Sequence, residues 1–137
     1  MTTSDRGSAT LELVLVTPLL LMLVLLAVGA GRLATARADV DGTARAAARA
    51  ASIRRDPASA SRAAWQTAVA TLAERRVTCR RLDLATDTRA FQPGGWVAVE
   101  LTCTVDLGDL SLLRLPGSRA IHARFVESLD TFRGPAS

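Results

Sequence analysis

The sequence predicts an α+β chain: a long N-terminal membrane-anchoring helix, a second helix, and a small antiparallel sheet of about three strands. Three observations predict it. Residues 13–31 carry no charge, and a single glutamate, Glu12, stands just before them. From Arg32 the chain becomes rich in Ala and Arg, with apolar residues at three- and four-residue steps and no Pro before Pro57. Beyond about Val77 the apolar period drops to two, the period of a half-buried strand.

The elements follow in order. Residues 1–7 form a short polar leader. Residues 8–31 are predicted as a transmembrane helix. The 19 residues 13–31 rise by ~1.5 Å each, about 28 Å in all and close to a ~30 Å hydrocarbon core. Pro18 lies inside this run; it breaks helices in water but is tolerated in lipid. A cleaved secretory signal is the first competing reading, with small residues at Ala27-Val28-Gly29 or Gly29-Ala30-Gly31. Against it stand the single Arg6 beside Asp5 and the carboxylate of Glu12. A plain membrane anchor is the second.

Residues 32–56 are expected to continue the same helix. Leu33, Ala36, Val40, Ala44, Ala47 and Ala51 share one face, and Ala is the best helix former. Arg37–Asp41 and Asp41–Arg45 are spaced for helical ion pairs, and Gly42 is the expected soft point. Asp56-Pro57 ends the rod.

Residues 57–133 are expected to form an extracytoplasmic α+β domain. Ser59 or Ser61 is predicted to cap a second helix that runs to about Arg76, with Trp65 as a core anchor. Val77 and Cys79 begin a short first strand. Gln92-Pro93-Gly94-Gly95 marks a turn. Val97, Val99, Leu101, Cys103, Val105 and Leu107 then alternate with more polar residues in the clearest strand. Leu115-Pro116-Gly117 makes another turn, and Ile121, Ala123 and Phe125 lie on one face of a third strand. Residues 134–137 are a fraying tail.

Little in the sequence supports catalysis. His122 is the lone imidazole and falls on the polar face of its strand, with no orienting acid beside it. There is no GxSxG elbow and no glycine-rich phosphate loop. Asp106 and Asp109 are too sparse for a calcium loop, and the four ligands that zinc requires are missing. The expectation is therefore no enzyme, no cofactor and no metal.

All 17 basic residues are Arg, and the formal net charge is +4. GC-rich codons explain arginine in place of lysine. The charge suits an anionic membrane surface or nucleic acid. Stacking aromatics are scarce, however, and fall mostly at predicted core positions, so no nucleic-acid partner is expected despite the pairs Arg54-Arg55, Arg75-Arg76 and Arg80-Arg81. The Leu107–Leu115 stretch is either an exposed apolar loop facing a partner or the membrane, or tucked beneath the sheet. Cys79 and Cys103, in a segment expected outside the cytoplasm, read as one disulfide. Two buried free thiols are the alternative.

Arg6-Gly7-Ser8-Ala9-Thr10-Leu11-Glu12, running into an apolar span that contains Pro18, follows the pattern of a type IV prepilin. The chain resembles the TadE-like pseudopilins of tight-adherence pilus systems. Asp41-Gly42-Thr43-Ala44-Arg45-Ala46-Ala47-Ala48-Arg49 is similar to the segment that follows the membrane helix in that family, and the Leu115-Pro116-Gly117 turn is a weaker match.

The resemblance implies processing by a prepilin peptidase between Gly7 and Ser8. It implies a non-catalytic, minor pilin-like role in assembling or anchoring a pilus, with other pilin-like subunits, the assembly platform and the membrane as partners. Glu12 matches the family's glutamate. A buried ammonium and carboxylate are each costly in lipid, so the new Ser8 amine of one subunit is expected to pair with Glu12 of a neighbour. The protein is expected to cross the membrane once, with its C-terminal domain outside the cytoplasm, possible entry into a surface pilus being part of the same reading. Arginines flank the far side of the span at Arg32 and Arg37, opposite to the usual charge bias for that orientation. The reading from another class is a membrane-anchored extracytoplasmic binding or regulatory domain unrelated to pili, which needs neither Gly7 nor Glu12.

Overall fold

The computed structural model describes residues 5–110 and 116–132, with side chains for residues 13–108 and 116–132. The first element, α1, is a single helix of 48 residues, Asp5–Ser52. At ~1.5 Å per residue it is about 72 Å long. It passes through Pro18 and Gly42 without interruption. Pro18 has no N–H to donate to the carbonyl of Val14. One residue earlier in the ladder, the Thr17 hydroxyl donates to the Leu13 carbonyl at 2.7 Å.

The second helix, α2, spans Pro57–Glu74. Its cap is Asp56, not Ser59 or Ser61. The Ser59 backbone N–H donates to Asp56 Oδ1 at 2.8 Å, and the Ser59 hydroxyl donates to Oδ2 at 2.6 Å. Proline at the first helical position suits this start, because its missing N–H has no partner there anyway. The helix ends at Glu74, with Arg75 as its C-cap.

Three antiparallel strands follow: β1 Arg81–Asp87, β2 Trp96–Asp106 and β3 Ser118–Ser128, in spatial order β1-β2-β3. Leu101 is the hub, opposite Leu84 on one side and Ala123 on the other. β1 begins later than the Val77–Cys79 expected, because the chain is still closing α2 there: the Val77 N–H bonds back to the Leu72 carbonyl. The first cross-strand bond is from Arg80 N–H to the Thr104 carbonyl at 2.7 Å. Gly95 makes the β1–β2 turn possible, since a Cβ there would stand 2.0 Å from the Ala90 carbonyl oxygen. β2 stops before Leu107. Asp106 Oδ1 accepts the Gly108 N–H at 2.9 Å, and this local turn leads into a short helix, α3, Leu107–Leu110. Most of the expected apolar loop 107–115, and Leu115 of the following turn, lie outside the described side chains. β3 is longer than the Ile121–Phe125 stretch predicted, because register with β2 continues at both ends.

The second half of α1 forms the centre. One side packs on β2 and β3, and another on α2, which meets the sheet chiefly at β1. Alanine dominates the buried faces of both helices: Ala44, Ala47, Ala48 and Ala51 of α1 and Ala60, Ala64 and Ala68 of α2 are all buried in the one core. Small side chains let the two backbones approach closely. Trp65 is 45% exposed and not the core anchor expected; the buried residues of α2 are Ala60, Ala63, Ala64, Ala68 and Leu72. None of the five aromatics is fully buried, and Phe132 is 95% exposed. The core is aliphatic, with Val40, Val97, Val99 and Leu101 at its middle. Arg45 lies over the Phe125 ring at 5.0 Å and makes no pair with Asp41. Arg37 and Asp41 likewise form no ion pair within 4 Å; both are exposed, where water solvates each as well as the other does.

A disulfide joins Cys79, in the lead-in to β1, to Cys103 on the inner face of β2, with Cα atoms 5.3 Å apart. It ties the end of α2 to the sheet.

Candidate functional site

Gly7, Ser8 and Glu12 all belong to the first turns of α1. Ser8 and Glu12 are four residues apart, about one turn and ~6 Å of rise. Glu12 is followed directly by the uncharged run. From Leu13 to Leu26 the large apolar side chains are exposed, except the half-buried Leu25, with Leu15 and Met22 exposed most of all. Among the described residues nothing buries this stretch, and the helix is long and apolar enough to cross a membrane. An isolated helix face this apolar requires lipid or protein around it.

Where this segment meets the domain, the chain builds a cleft. α2 runs antiparallel to α1, so its C-terminal end returns to the start of the packed half of the long helix. Arg75 Nη1 donates to Asp39 Oδ1 at 2.8 Å. Its guanidinium lies across the bare backbone of Gly42, where a Cβ would come within 3.2 Å of Arg75 Nη2. The next residue, Arg76, has φ 56°, a left-handed conformation. The bonds Arg76 N–H to Ala73 O and Val77 N–H to Leu72 O close the helix around it. This is the glycine-favoured way to end a helix, carried out here by an arginine.

The cleft has a volume of about 630 Å³ and is bounded by Val28, Gly31, Arg32 and Thr35 of α1, Arg75 and Arg76 after α2, and Val105 and Asp106 at the end of β2. Among the described residues Arg32 and Arg76 have no side-chain partner, whereas Arg75 is held by Asp39 and Arg80 stands 4.0 Å from Asp106. In the sequence Arg75-Arg76 is one of three arginine pairs, and nothing there places Arg32, Asp39 or Gly42 beside it.

The outer sheet face is held by cross-strand polar pairs. Arg124 Nε is 3.3 Å from Glu100 Oε1, and Thr102 Oγ1 is 2.9 Å from His122 Nδ1. Both pairs sit directly opposite in register. His122 therefore rests on a hydroxyl, with no carboxylate among its hydrogen-bond partners. A shallower groove is lined by Arg37, Asp41, Arg119 and His122. At the far end of the domain, hydrogen bonds from the Arg89 side chain and backbone hold the Asp87 carboxyl down at about 2. Asp56 is likewise held below the usual carboxylate range, first by the Ser59 hydroxyl and then by the Ser59 backbone N–H. Among the described residues no three His, Cys, Asp or Glu side chains gather as metal ligands do.

Residues 7–49 match the family model described as TadE-like protein. The match opens at Gly7, includes Ser8, Glu12 and the whole apolar run, and closes at Arg49. It covers 43 of the 137 residues, so α2 and the sheet lie outside it. No curated protein matches the chain. No solved structure matches it either.

Proposed function

We propose that this protein is a non-catalytic, minor pilin-like component that assembles or anchors a Tad-type pilus. The observation that carries the reading is the TadE-like match over residues 7–49, which opens at Gly7, takes in Glu12, and lies on one unbroken helix. In this reading a prepilin peptidase cuts between Gly7 and Ser8. The apolar run 13–31 crosses the membrane once, and the domain stands outside the cytoplasm. The Cys79–Cys103 disulfide supports that placement, since such bonds persist in oxidising compartments. Other pilin-like subunits and the assembly platform are the partners.

Glu12 acts in assembly and not in folding. It precedes the uncharged run and is far along α1 from the domain that begins to pack near Ala36. Its carboxylate meets the new Ser8 amine of a neighbouring subunit. Each charge offsets the other's cost in lipid, and the pairing sets the axial stagger of the subunits.

The test is Glu12→Ala. The variant is expected to reach the membrane and form its disulfide, because losing a carboxylate near the span only eases insertion. Surface pili and co-purified pilin-like partners are compared with wild type at matched protein levels. A loss of both is expected. Unchanged piliation and partner recovery would leave the plain-anchor reading, a binding or regulatory domain unrelated to pili, as the better account.

A further inference from the structure

We infer that the cleft between α1 and the end of α2 seats the headgroup of an anionic phospholipid, with Arg32 and Arg76 gripping its phosphate. The inference rests on the reading of residues 13–31 as membrane-spanning.

Height is the first argument. Val28 and Gly31, the last residues of the uncharged run, form the membrane side of the cleft, and Arg32 is the first charge beyond them. A helix spanning the hydrocarbon core with that run brings the cleft to headgroup level. Val28 gives a wall suited to the glycerol end of a lipid, and the arginines stand above it.

Charge is the second. Of the two acids at the cleft, Asp39 pairs with Arg75 at 2.8 Å, and Asp106 accepts the Gly108 N–H at 2.9 Å and stands 4.0 Å from Arg80. The guanidiniums of Arg32 and Arg76 have no side-chain partner among the described residues. A planar guanidinium matches a phosphate with two parallel N–H donors. A zwitterionic lipid offers the same phosphate but places a trimethylammonium beside the arginines. A net-negative headgroup is therefore preferred.

Backbone strain is the third. Arg76 holds φ 56° at the position where glycine ends helices without steric penalty. An unfavourable backbone kept at one residue points to a use for its side chain.

The test uses the full chain reconstituted into vesicles of equimolar phosphatidylglycerol and phosphatidylcholine. Flotation reports membrane insertion, and native mass spectrometry of the extracted protein reports which lipid stays bound. Wild type is expected to float and to retain phosphatidylglycerol in excess. Arg32→Gln and Arg76→Gly are each expected to float and to lose that preference by about fivefold, the worth of one arginine at an anionic surface. Arg76→Gly is the decisive variant. Glycine relieves the backbone, so its thermal midpoint is expected to equal or exceed that of wild type while lipid retention falls.

Protein that floats but retains the two lipids equally overturns the inference and leaves the membrane reading intact. Unchanged retention in both variants does the same. So does capture of inorganic phosphate without any lipid preference. Failure to float with any vesicle overturns the membrane reading, and the inference with it.

Discussion

Arg75 donates to Asp39 at 2.8 Å and lies flat against Gly42, so a residue just past α2 is fastened to α1 where the long helix enters the domain. The pair is partly exposed, with side chains 43% and 21% accessible, and water screens much of its attraction. Asp39→Ala is expected to lower unfolding free energy by about 0.5–1 kcal/mol, read by denaturant titration of the detergent-solubilised chain.

Gly42→Ala is expected to have the opposite sign. Alanine in a helix interior is favoured over glycine by about 1 kcal/mol. The new Cβ would crowd only the end of the flexible Arg75 side chain. A net gain of about 0.5 kcal/mol follows if the guanidinium shifts by a few tenths of an ångström. A net loss in the same titration would mean that the seat of Arg75 on the bare helix outweighs helix propensity.

Cys79→Ser is expected to lower stability by about 2–4 kcal/mol in the chain-entropy view, since the bond closes a loop of 24 residues. The loss falls on the link between α2 and the sheet. Wild type treated with reductant should match the variant, and reductant should do nothing further to the variant. An oxidised wild type no more stable than Cys79→Ser would remove the disulfide from any account of the domain's stability.

Acid should weaken the domain through two aspartates at its far end. Asp56 at the α2 cap and Asp87 beside Arg89 both have folded-state pKa values below the usual 3.8, Asp87 at about 2. The unfolded chain therefore binds protons first as pH falls. The stability these carboxylates contribute is complete above the unfolded value and is lost between about pH 4 and pH 2. Denaturation midpoints measured across that range should fall. The slope should flatten in Asp56→Asn, which still caps the helix but cannot titrate. An unaltered slope in that variant would exclude Asp56 as a contributor.

The parts legible in the sequence were those governed by local rules. An uncharged run joined to an alanine-rich face without an intervening proline reads as one helix, and the alternation from Val97 to Val105 reads as a strand. The parts that were not legible depend on choices made elsewhere in the chain. Pro57 was read as a stop, yet the same proline marks the start of α2, and Asp56 caps it. Trp65 looked like core because it is large and apolar, but α2 buries Ala60, Ala63, Ala64, Ala68 and Leu72 and leaves the indole 45% exposed. Val77 and Cys79 have strand spacing, but the first is spent closing a helix and the second is drawn to Cys103. The cleft was invisible for the same reason. Arg32 and Arg76 are 44 positions apart, and only the antiparallel return of α2 brings them together. Gly7, Ser8 and Glu12 stood out as a spacing motif, and the chemistry proposed for them involves partners outside the chain.

The central claim is that this helix begins its working life at Ser8. Intact-mass and N-terminal peptide analysis of protein extracted from the membrane of a host with the cognate peptidase tests it most directly. The account predicts a chain that starts at Ser8, with the seven leader residues gone, and an uncut chain for Gly7→Val, whose branched side chain replaces the smallest residue at the scissile position. Wild-type protein recovered from that membrane with its leader still attached would contradict it.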